Sequence, residues 1–151
     1  MEHKIKKVEP EEFMKDLSLM LSETEAVPLI ISGNSMLPFL VHNRDTVYLS
    51  KVNGKLKKGD IILYKRDNGA YILHRIYKEE RDYYYLIGDA QPILEKGVKK
   101  ENVIAKVNKV KRKGKLIEEK SFIWWFYKKI WLNIIPLRAP IIKMYSFLKR
   151  K

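Results

Sequence analysis

The sequence predicts a mainly β protein: a small, coiled antiparallel β-barrel or sandwich, with a short helix before it and an amphipathic helical tail behind it. Three observations lead there. Runs rich in Val, Ile and Tyr recur between residues 27 and 110, separated by Gly, Asn and Asp turn residues. A proline followed by two glutamates opens an amphipathic stretch ahead of them. Beyond Gly114 the strand pattern stops, and aromatic residues mix with lysines.

In chain order, Pro10, Glu11 and Glu12 suit a first helical turn, where proline loses no hydrogen bond and acids complement the dipole. Phe13, Leu17, Met20 and Leu21 then share one face, predicting a helix to about Ser22. VPLIIS (27–32) reads as a buried strand running into a Gly33-Asn34 bend. Further strands are expected at 46–49, 60–65, 71–77, 83–88 and 102–110. Turn residues stand at Asn53-Gly54, Lys58-Gly59-Asp60, Asp67-Asn68-Gly69 and Gly88-Asp89, and the third set is a hairpin signal. Residues 1–117, with a core at 27–110, thus form one unit, and 118–151 form the tail.

Composition narrows the functions. The 151 residues contain no cysteine and three histidines (His3, His42 and His74), so a thiolate or multi-histidine metal site is not expected. No cofactor is implied. The net charge of +13 suits an anionic partner. Helix-turn-helix, zinc-finger and phosphate-loop patterns are all absent, so no specific nucleic-acid partner is expected.

The tail points to lipid instead. As a helix it places Ile123, Phe126, Tyr127, Ile130 and Ile134 on one face and Lys128 and Lys129 on the other. Trp124, Trp125 and Trp131 broaden the apolar side. Tryptophan beside lysine suits a headgroup region, so Trp124, Trp125, Lys128, Lys129 and Trp131 are expected at an anionic membrane surface. A helix packed on the β unit is the competing reading. Charges and prolines interrupt every apolar run well short of the roughly 20 residues a span needs. The N-terminal stretch lacks the apolar run of a secretory signal. Peripheral attachment on the cytoplasmic face is the default expectation.

ISGNSMLPFL (31–40) holds the candidate nucleophile. Ser35 follows a strand and a tight turn, which lets its hydroxyl stand clear of the sheet. A serine needs a base within hydrogen-bonding reach. His74, on the same strand face as Ile72 and Ile76, would be partly desolvated and held neutral. A lone histidine on an apolar strand face is also an ordinary core residue. Asp89, in the YLIGDA turn, could orient the ring or simply serve the turn. Asp60 reads as the cap of a strand start.

Taken together, GNSMLPFL, KKGDIILYKRDNGAYILHRI and YYYLIGDAQ with ENVIAKV behind it resemble, in this order, the boxes of the signal peptidase I family. That family belongs to a wider group that includes self-cleaving SOS-type repressors. The resemblance covers about residues 27–110. It implies Ser35 as nucleophile and His74 as general base, since histidine at this place marks the archaeal and endoplasmic-reticulum-type enzymes. Asp89 matches the first acid of the Gly-Asp box, and Glu95 stands where those enzymes have a second aspartate. Asp89 is the preferred orienting acid.

The backbone N–H of Ser35 would hold the oxyanion, with Ser32 or Asn34 as second donor, since Gly33 replaces the serine some members use. The implied activity is serine endopeptidase cleavage of a signal or leader peptide from a precursor, slowing as His74 protonates near its ordinary pKa of about 6.5. The chain departs from the family in lacking a membrane span before Ser35. A self-cleaving regulator or an inactive membrane adaptor on the same fold are the alternatives.

Overall fold

A computed structural model describes residues 10–150. Helix α1 (Pro10–Glu23) packs Met14, Leu17 and Leu21 on the core, with Phe13 beside them. Met20, expected on that face, is exposed. Eight strands follow: β1 (Val27–Ile30), β2 (Asp45–Ser50), β3 (Ile61–Lys65), β4 (Tyr71–Glu80), β5 (Tyr83–Ile87), β6 (Glu95–Lys99), β7 (Val103–Arg112) and β8 (Lys115–Glu118). They form one antiparallel sheet in the order β1-β2-β7-β3-β4-β5-β6, with β8 also on β7. The mainly β class holds, and the sheet stays open between β1 and β6 rather than closing into a barrel.

Two strands escaped the sequence reading for local reasons. β6 is EKGVK, whose only large apolar residue is Val98. β8 is reached through a turn with positive φ at both Lys113 and Gly114, and lysine does not advertise that conformation. The β3–β4 hairpin at Asp67-Asn68-Gly69 forms as expected.

Strand β3 explains how the core is divided. Ile61 and Leu63 face a cluster with Phe39, Leu40, Val47 and Trp124; Ile62 and Tyr64 face another with Ile76, Leu86 and Val98. Alternate residues point to opposite faces, so a strand covered on both sides reads as one continuous apolar run. Its register sets the site. Ile62 pairs with His74 and Tyr64 with Ile72, which makes Tyr64 and His74 diagonal neighbours on one face.

The tail is broken and folded back. Helix α2 (Phe122–Lys129) is capped by Ser121, a 3-10 turn covers Trp131–Asn133, and helix α3 (Ile135–Lys149) carries Pro136 in its first turn. Trp124 is 2% exposed, edge-on to Phe39 at 5.4 Å between ring centroids. Trp131 is 3% exposed, and Lys128 Nζ lies 3.1 Å from the buried Asp60 carboxylate. Trp124 and Trp131, expected at a lipid surface, are packed inside the protein, and Lys128, expected there too, is half-buried and paired with Asp60. The apolar face of a helix does not say whether its apolar partner is a bilayer or a sheet edge. Trp125 and Lys129 do stay exposed. Among the described residues, no helix is long and apolar enough to cross a membrane.

Candidate active site

The loop between β1 and β2 presents Ser35. Gly33, at φ 94°, makes the bend, and its N–H donates to His42 Nδ1 at 2.8 Å. His42 therefore stiffens the loop, a role nothing in its sequence surroundings signals. Met36, Phe39 and Leu40 are buried beneath it, which anchors the segment just after the serine. Among the described residues, neither the N–H nor the hydroxyl of Ser35 has a hydrogen-bond partner. Ser32 and Asn34 are exposed, and their side chains make no hydrogen bond to this site.

The loop after β5 closes over Ser35. Ala90 N–H donates to the Ser35 carbonyl at 2.9 Å. Gly88 must be glycine for a steric reason: a Cβ there would fall 2.4 Å from the Ser35 carbonyl oxygen and 3.0 Å from His74 Nε2. The same contacts locate the ring, for Nε2 and the main chain of Ser35 lie within 3.0 Å of one point. His74 and Ser35, far apart in sequence, meet across Gly88. The Ser35 hydroxyl is not hydrogen-bonded to the ring.

Behind His74 the residues set its protonation. The ring is buried, and that burial pushes its pKa down to about 4, against a smaller upward pull from Glu95. Nδ1 lies 3.1 Å from the Tyr64 hydroxyl, and Tyr64 in turn donates to Glu95 Oε2. Arg66 grips Glu95 with two bonds of 2.8 and 3.1 Å. Burial opposes ionisation of Glu95, but the bonds from Arg66 and Tyr64 outweigh it and hold its pKa below the ordinary value. An ionised carboxylate only accepts, so the single Tyr64 proton goes to Glu95. The Tyr64 oxygen then accepts from Nδ1–H. That leaves Nε2 without a proton, on the side facing Gly88 and Ser35.

Asp89, the preferred orienting acid from sequence, does not touch the ring. Both its oxygens take bonds of 2.9 Å from Arg75, a fully buried side chain that also donates to the Gly59 carbonyl. The pair ties the loop after β5 to strand β4. Glu95 is the carboxylate beside Nδ1, at 3.9 Å, and it reaches the ring through Tyr64. Tyr64 and Arg66 were missed in sequence, although DIILYKR precedes the hairpin that holds His74. Period-2 spacing across that hairpin was the available signal. Asp60 accepts from Lys57 N–H at 2.8 Å just before β3, consistent with a strand-start cap. His3 lies outside the described residues.

One family model matches the part of the chain that carries these residues, although no curated protein matches the chain. The Peptidase S24-like family matches residues 3–108, well over half of the chain and all of the elements that bring Ser35 and His74 together. A match of this extent supports a serine peptidase or a self-cleaving protein of the same type, and the chain belongs to the Peptidase S24-like family.

Proposed function

We propose that the protein is a serine endopeptidase of signal-peptidase type, removing a leader or signal segment from a precursor. The observation that supports this most directly is the state of His74: buried, neutral, and turned with an unprotonated Nε2 toward the Ser35 loop. In this reading Nε2 takes the proton from the Ser35 hydroxyl as the oxygen attacks the peptide carbonyl. The hydrogen bond from the Ser35 hydroxyl to Nε2, not made in the free protein, forms when substrate enters. The tetrahedral oxyanion forms beside the unpartnered Ser35 N–H. His74 then hands its proton to the leaving amine, and water repeats the sequence to release the acyl group.

The orienting group is Tyr64, backed by Glu95 and Arg66. When His74 becomes cationic, Nδ1–H stays on the Tyr64 oxygen and the Glu95 charge stands close behind. That stabilises the imidazolium without moving a second proton.

Family membership also favours a second reading, a self-cleaving regulator, in which a segment of the same chain enters the site. The kinetics separate the two, since self-cleavage is independent of protein concentration.

Intact-mass analysis after treatment with a fluorophosphonate or a penem tests the chemistry. One adduct on the wild type, absent from Ser35→Ala and His74→Ala of unchanged circular dichroism, is the expected result. Equal labelling of Ser35→Ala would sink Ser35 as nucleophile. No adduct and no cleavage of leader peptides by the folded protein would leave an inactive adaptor.

A further inference from the structure

Helix α3 has two faces with different surroundings. On one, Arg138 is 1% exposed and its guanidinium donates to the carbonyls of Gly88, Gln91 and Trp131 at 3.0, 3.1 and 3.2 Å. Ile142, four residues on, is half-buried along the same side. About a quarter-turn away, Leu137, Ile141, Met144 and Leu148 fall in a row at i, i+4, i+7 and i+11. They are 55%, 37%, 59% and 63% exposed. A continuous apolar stripe on a helix end marks a surface that something covers.

Charge identifies what covers it. From Lys120 to Lys151 the chain has eight Lys and Arg residues and no Asp or Glu. Lys143, Lys149 and Arg150 flank the stripe and are exposed. A second copy seated there would bring two acid-free basic segments together, which like charges oppose. A negatively charged bilayer satisfies both parts, taking the apolar row into the acyl boundary and the cations onto its headgroups. The helix is too short and too interrupted to cross, so it lies flat.

We propose that α3 docks on an anionic lipid bilayer through Leu137, Ile141, Met144 and Leu148, with Lys143, Lys149 and Arg150 on the phosphates. This surface replaces the one expected around Trp124 and Trp131. It is independent of whether Ser35 is reactive. Because Arg138 on the same helix grips Gly88 and Gln91, docking holds the Ser35 loop within about one helix length of the lipid, roughly 22 Å for 15 residues.

Sedimentation of the full chain with vesicles of phosphatidylcholine, or of equal parts phosphatidylcholine and phosphatidylglycerol, tests this. The expected result is binding to the mixed vesicles at least about tenfold stronger than to the neutral ones, weakening as salt rises. Ile141→Glu with Met144→Glu should remove that binding while circular dichroism and probe labelling of Ser35 stay as in wild type. Equal binding to both vesicles, no binding to either, or wild-type binding by the double variant would overturn the proposal. So would a lipid-free dimer in analytical ultracentrifugation that the same two substitutions dissociate, since a second copy would then own the stripe.

Discussion

His74 works as a base only if Nε2 holds a lone pair, and one phenol decides that. Tyr64 gives its proton to Glu95 and so must accept from Nδ1–H. Tyr64→Phe keeps the ring's volume and removes the acceptor. The fold should survive at a cost of about 1–3 kcal/mol, the usual penalty for a buried group left unpaired. The turnover number should fall about tenfold to a hundredfold with little change in KM, less than loss of the base itself. Steady-state kinetics on a leader peptide check this. A KM effect alone would mean that Tyr64 shapes the pocket rather than the ring.

Strand β4 carries two neighbouring residues to opposite faces and opposite duties. His74 points to Tyr64 and Glu95; Arg75 points to Asp89 and the Gly59 carbonyl. The two carboxylates should therefore respond differently when neutralised. Asp89→Asn leaves a buried guanidinium without its counter-charge and is expected to cost about 3–5 kcal/mol, visible as a lower urea midpoint. Glu95→Gln, at a half-buried position, should cost about 1 kcal/mol or less and show its effect in turnover. A stable but inactive Asp89→Asn beside a fully active Glu95→Gln would return the orienting role to Asp89. Element α2 contributes through Trp124, which closes the first core cluster over Phe39 just after the Ser35 loop.

At the scale of the molecule, burial of His74 links the site to global stability. The unfolded chain titrates this ring near 6.5 and the folded one near 4, so between those values the unfolded state binds more protons. The stability His74 contributes is complete above about 6.5 and drains away as pH falls toward 4, on the order of 3 kcal/mol in all. Melting temperature should drop through this window in wild type and drop less in His74→Asn. Activity should share the limit. Its acid limb is expected near pH 4 rather than at the 6 to 7 of an unburied histidine, so a flat rate from about pH 5 to 8 fits the buried base.

The amino-acid sequence by itself determined the pieces with local causes. Periodicity identified α1 and six of the eight strands, Asp-Asn-Gly the hairpin, and Gly-Asn-Ser the exposed bend at Ser35. The burial that keeps His74 neutral was legible because two isoleucines share its strand face. Interactions spanning the chain were decided only by the tertiary structure. Which acid serves His74 depends on the β3–β4 register and on Arg75 claiming Asp89 first, and neither is encoded near those residues. Gly88 looked like an ordinary turn glycine until the Ser35 carbonyl was found against it. The tail's tryptophans showed an apolar face but not its partner: a helix records how much surface it must bury, while only the folded sheet shows what is there to bury it.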